Sequence, residues 1–132
     1  MSWFHIAPQE QSVVHTLRTT ASWTYRVCLG VTTILLVPLA EELLFRGVIY
    51  PTVKQSGYPR LALWGTSLVF GAIHLDLAIL VPLTFLAVAL TLLYERTNNL
   101  LAPITVHSLF NAANFGLLYQ QEKIFGQMNW WS

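Results

Sequence analysis

From Leu77 to Tyr94 the chain runs 18 residues without one charged side chain. A run of that length and polarity fits a helix crossing a bilayer, which needs about 20 apolar residues. A second uncharged run, Val31 to Ala40, leads into Glu41-Glu42-Leu43-Leu44-Phe45-Arg46-Gly47, and Gly47 to Tyr50 is again uncharged. Composition agrees with these runs. Hydrophobic residues make up 55% of the 132 and charged residues 10%, where a soluble domain carries about 25% charged residues. Mean hydropathy is +0.54. The expectation is an all-α chain, a polytopic transmembrane bundle of about four helices, placed as a multi-pass integral membrane protein with the lipid bilayer as its surroundings. Net charge is +1 and no basic stretch exists, so nothing points to nucleic acid. The single cysteine, Cys28, offers neither an intrachain disulfide nor a zinc-binding thiol cluster and reads as a packing residue.

Taken in order, residues 1–20 form a lead-in without the charged, apolar, small-residue succession of a signal peptide. His5 and His15 there read as solvated. Trp23, Tyr25 and Arg26 suit the headgroup level. The helical core is expected over 21–119, followed by a polar tail at 120–132 with Trp130 and Trp131 at the interface. The first helix is expected over 21–54, kinked or unwound near Pro38, whose missing N–H frees a carbonyl. The second starts at Pro59, a good first-turn residue, and runs to about Leu75. Asp76 is expected to cap the third, over 77–94. That helix carries only Thr84 and Thr91 as polar groups and reads as scaffold. The fourth covers 100–119. Outside the Glu41 cluster, Lys54, Arg60 and Arg96 fall on one side of the bundle and Arg18, Arg26 and Lys123 on the other, so charge sets no orientation.

Three of these helices bring polar groups into apolar surroundings. Glu42 and Arg46 are four apart with the acid first, the favourable order for an ion pair along a helix. Glu41 lies about 100° round the axis and is left free for chemistry. The competing reading is a buried pair that only fixes packing. His74 is the only ionisable group between Arg60 and Asp76, and shares a face with Phe70. A lone histidine on such a helix is commonly a satisfied core residue. His107 and Asn111 share a face of the fourth helix. Each group costs free energy in hydrocarbon, which makes all three together a functional candidate.

The set suits hydrolysis. A carboxylate or imidazole can take a proton from water, and an amide or a second imidazole can stabilise an oxyanion. Two histidines and a glutamate could instead hold zinc, and if zinc is bound its ligands would be Glu41, His74 and His107. No cofactor is firmly expected. The chain lacks the HExxH of many zinc proteases and a nucleophile-elbow serine.

Glu41-Glu42-x-x-x-Arg46, Phe70-x-x-x-His74 and His107-x-x-x-Asn111, in that order, resemble the motifs of the CPBP family of intramembrane proteases. That family includes CAAX prenyl endopeptidases of the Ras-converting-enzyme type and bacterial Abi proteins. The resemblance covers about 31–115. It implies that Glu41 and His74 activate water, that His107 and Asn111 stabilise the oxyanion, and that Glu42, Arg46 and Phe70 support the site. The family has been described both as metalloproteases and as metal-free glutamate proteases; direct activation of water by Glu41 and His74 is favoured here, because a catalytic zinc usually wants three firm ligands. The implied substrate is a membrane-associated or lipidated (CAAX-like) protein or peptide. Family members commonly carry additional helices before the first motif, whereas this chain has room for at most one, merged with its first helix. The chain is then a minimal version, a truncated gene product, or one whose bundle is closed by a partner helix or a second copy. The alternative is a non-catalytic membrane protein, an immunity protein or scaffold, that keeps the cluster for packing or partner binding. A proton-coupled transporter fragment is disfavoured by the lack of an internal repeat.

Overall fold

The structure, a computed structural model, describes residues 22–128, with side chains as far as residue 121. The expected lead-in at 1–20, with His5 and His15, and the Trp130-Trp131 pair lie outside the described residues. Four helices and no strand are found among those described. Helix α1 is Trp23–Gln55, α2 is Pro59–Ala72, α3 is Leu77–Thr97 and α4 is Leu101–Met128. The last runs past Tyr119, where a polar tail was expected to begin.

The helix ends follow local chemistry. Pro59 occupies the first turn of α2, where its missing N–H costs nothing. Asp76 caps α3 by accepting from the Ala78 N–H at 2.8 Å. Asn98 ends α3 in the left-handed conformation, at φ 47°. Asn99 then accepts from the Leu101 N–H at 2.9 Å and starts α4.

Helix α1 is continuous, and Pro38 does not break it. Two stretches of it, Thr32–Leu36 and Phe45–Ile49, are wide π-type turns. In the first, the Val37 N–H bonds the Thr32 carbonyl; in the second, the Tyr50 N–H bonds the Phe45 carbonyl. Both bonds reach back five residues, and the residue after each donor is a proline, Pro38 and Pro51. A proline in an ordinary α-helix collides with the carbonyl four residues back. Widening the turn ahead of it relieves that collision and keeps the helix intact. The eight α-helical residues between the two turns, Val37–Leu44, carry Glu41 and Glu42.

Packing is tightest where α2 meets α3. A Cβ on Gly71 would fall 2.8 Å from the Leu80 carbonyl oxygen and 2.7 Å from Thr84 Oγ1, so only glycine permits this approach. Phe45, Phe70 and Ala87 form the buried apolar core, from α1, α2 and α3 respectively. Gly30 of α1 receives the ring of Phe115 from α4.

Helices α1 and α3 are long and apolar enough to cross a membrane. Only 17% of the most apolar window of each is buried within the bundle. A soluble core helix would be covered; these present Leu35, Leu36, Val48, Val81 and Phe85 outward, an apolar surface that suits lipid. Helix α2, with 14 residues, rises about 21 Å and falls short of the roughly 30 Å hydrocarbon layer.

Candidate active site

Arg46 stands at the centre of the bundle, 1% exposed. Its Nη1 donates to Glu42 Oε1 at 2.9 Å, its Nη2 to the Ala87 carbonyl at 2.7 Å, and its Nε to Thr91 Oγ1 at 3.2 Å. Its guanidinium lies 5.1 Å from the centroid of the Phe70 ring. A buried guanidinium is tolerable only with its donors satisfied in this way. Helix α3 is therefore more than scaffold. Thr91 donates back to the Ala87 carbonyl at 2.8 Å, so two acceptors four residues apart form one seat for Arg46. The spacing of Ala87 and Thr91 was the available signal, but a backbone carbonyl acting as ligand leaves no mark in a sequence.

Glu42 is fully buried. Its Oε1 accepts a second bond, from His107 Nδ1 at 2.8 Å, while Oε2 is buried without a partner. Glu42 thus joins α1 to α4 as well as pairing along its own helix. The link to His107 was not anticipated from the sequence.

Glu41 points elsewhere, as the 100° step between neighbouring helical residues requires. Its Oε2 is 3.6 Å from His107 Nε2 and its Oε1 is 4.0 Å from His74 Nε2. Both imidazoles are oriented through the opposite nitrogen. His74 Nδ1 donates to the Phe70 carbonyl at 2.9 Å, and a carbonyl oxygen can only accept. His107 Nδ1 donates to the Glu42 carboxylate, which Arg46 keeps in company with a positive charge. Each Nε2 is therefore turned toward Glu41. Phe70 fixes the rings in place: its centroid is 5.4 Å from that of His74, 5.7 Å from that of His107 and 5.1 Å from that of Phe45.

The structure thus brings Glu41, His74 and His107 together, with Glu42, Arg46 and Phe70 beneath them. Asn111 is placed differently. Its Nδ2 donates to the Thr33 carbonyl on α1 at 3.0 Å, eight residues before Glu41, rather than into the cluster around Glu41. Among the described residues no group of three or more His, Cys, Asp and Glu is placed to hold a metal ion.

At one end of the bundle, Tyr50 and Lys54 of α1 both donate to Glu95 of α3. This cluster ties the two candidate spans together within about eight residues of Arg46 along α1.

In this all-helical bundle, paired charges and two imidazoles turned to one carboxylate make up a candidate site for hydrolysis. Residues 22–113 match the family described as Type II CAAX prenyl endopeptidase Rce1-like. That is more than half of the chain, and the chain belongs to this family of membrane proteases. It is 35% identical over 82 residues to a Bacillus subtilis protein named "Uncharacterized protein YpbD", covering 59% of this chain and 39% of that one. It is 30% identical over 87 residues to the B. subtilis protein named "Putative membrane peptidase YdiL", covering 66% of this chain and 35% of that one. The chain thus spans under half the length of these relatives. No solved structure matches it.

Proposed function

We propose that this chain is a multi-pass intramembrane endopeptidase that hydrolyses a peptide bond in a membrane-associated or lipidated, CAAX-like protein or peptide. The observation that carries the reading is the convergence of Glu41 with the Nε2 atoms of His74 and His107, at 4.0 and 3.6 Å. Those gaps are too long for direct hydrogen bonds, and a water molecule seated among the three groups could donate to Glu41 and to His74 Nε2 together. Access is available from the outer side: the side chains of His74 and Glu41 are 30% and 20% exposed, that of His107 only 4%.

In the reaction, Glu41 takes one proton of the water while its oxygen adds to the substrate carbonyl carbon. The carbonyl π pair moves to oxygen, and the resulting oxyanion is met by the protonated Nε2 of His107. The Glu42 carboxylate accepts from Nδ1 and so holds the ring with Nε2 toward that oxygen. Collapse of the tetrahedral intermediate breaks the C–N bond, and Glu41 returns its proton to the departing amine. Glu42, Arg46 and Phe70 hold the imidazoles during this cycle.

The test is terminal-peptide mass spectrometry on membranes from cells expressing the wild-type chain or Glu41→Gln at equal levels. New protein termini that depend on Glu41 are expected, and their sequences would define the substrate class. Identical termini from two folded, inserted chains would move the reading to a non-catalytic immunity or scaffold role. Co-purification would then test whether a partner helix or a second copy completes the bundle.

A further inference from the structure

The first wide turn of α1 has a bonding defect that its own helix cannot repair. The Val37 N–H reaches five residues back to the Thr32 carbonyl. The next bond in that register would run from position 38 to the Thr33 carbonyl. Position 38 is proline and has no N–H to give. A carbonyl left unpaired in an apolar setting is costly, and polar side chains of neighbouring helices commonly supply the missing donor in membrane proteins. Here the donor to the Thr33 carbonyl is Asn111 Nδ2, at 3.0 Å from α4.

We infer that Asn111 is a positioning residue whose amide stands in for the proton that Pro38 lacks, and that it thereby ties the wide turn before Pro38 to α4 and sets the facing of Glu41 toward His107. The inference rests on the reading of Glu41 as the base that activates water. Two features support it beyond the single bond. Asn111 lies one turn from His107 on α4, so one helix face carries both the imidazole that meets Glu41 and the amide that fixes the turn before it. Close to the same level, Phe115 of α4 packs on Gly30 of α1, so the two helices are in register over this stretch. The tie matters because Pro38 keeps the turn wide but does not seat it against α4; a turn cut loose from α4 could shift the stretch that follows and carry Glu41 away from His107.

The experiment is a double-mutant cycle on the full chain in detergent micelles, using Asn111→Leu with Pro38 intact and in the Pro38→Ala background. Thermal unfolding and cleavage of a substrate found by the terminal-peptide experiment are both read. With Pro38 present, Asn111→Leu should lower the unfolding midpoint by about 5 °C and slow cleavage. In the Pro38→Ala background the introduced N–H can bond the Thr33 carbonyl, and the same change should shift the midpoint by no more than about 1 °C. Equal thermal losses in both backgrounds overturn the inference. A kcat loss of the same factor in both would identify Asn111 as an oxyanion donor and overturn it too. Thermal coupling without cleavage by any variant upholds the role of Asn111 while defeating the protease reading. Should Pro38→Ala not fold, the carbon-13 resonance of the Thr33 carbonyl, compared between wild type and Asn111→Leu, reads the bond directly. A moved resonance supports the inference and an unmoved one overturns it.

Discussion

Glu41 and Glu42 are chain neighbours with opposite surroundings. Glu42 and Arg46 are sealed, 0% and 1% exposed, and Arg46 is held by contacts of 2.7 to 3.2 Å from two positions on α3 and one on its own helix. Glu41 is partly exposed and meets its two imidazoles only at 3.6 and 4.0 Å. The difference teaches how one bundle can be both rigid and reactive. Buried, paired charges hold three helices together, and the carboxylate one step round the helix stays short of partners, which in the proposed reaction frees it to bind and deprotonate water.

That contrast can be broken most forcefully from the sealed side. Arg46→Ala removes the partner of a buried carboxylate and should cost about 3–5 kcal/mol, enough to lose the folded bundle and with it any cleavage. Retention of a cooperative unfolding transition near the wild-type midpoint would show that the sealed cluster is not what holds the helices. Gly71→Ala tests the floor on which the cluster rests. The added methyl meets backbone as well as the Thr84 hydroxyl, and a loss of about 1–3 kcal/mol is expected in chemical denaturation. Leu75, the residue after His74, is left-handed at φ 55° and 90% exposed. Leu75→Gly removes that strain and should stabilise by up to about 1 kcal/mol, with the rise in unfolding midpoint as the measurement. The smallest effect on stability is expected on the reactive side. Glu41→Gln should change it by no more than about 0.5 kcal/mol, while cleavage should be abolished. A large thermal shift in that variant would put Glu41 among the structural charges and erase the distinction.

The broad architecture was legible in the sequence because apolar runs and helix-ending residues are local signals. Pro59, Asp76 and the polar stretch around Asn98 mark helix boundaries close to where they fall, and the spacing of Glu42 and Arg46 gave their pairing. The end of α4 was missed by several residues because Gln120, Gln121 and Glu122 suit a helix as well as they suit a polar tail. The site was legible only as a set of residue types. That His107 would bond Glu42, that Thr91 and a backbone carbonyl would seat Arg46, and that Asn111 would reach Thr33 are all contacts between helices, settled by packing. Of the kink or local unwinding expected at Pro38, the structure shows an unwinding: the turn ahead of it widened, a choice between the two that residue identity alone does not make.

The wide turns also change how this chain tolerates length variation. A π turn holds one residue more than the α-helical turn it replaces. Loss of any one residue between Thr32 and Leu36 would therefore leave an unbroken helix, with the same polarity and every charged side chain still present. Phase would be kept too, because the turn would contract to α geometry and absorb the loss. The α-helical stretch just before Glu41 has no such slack: loss of Leu39 or Ala40 would turn everything downstream by about 100° against the upstream half, presenting Glu41 to a different neighbour. A single-codon deletion there would pass every test of composition and hydropathy and still dismantle the candidate site.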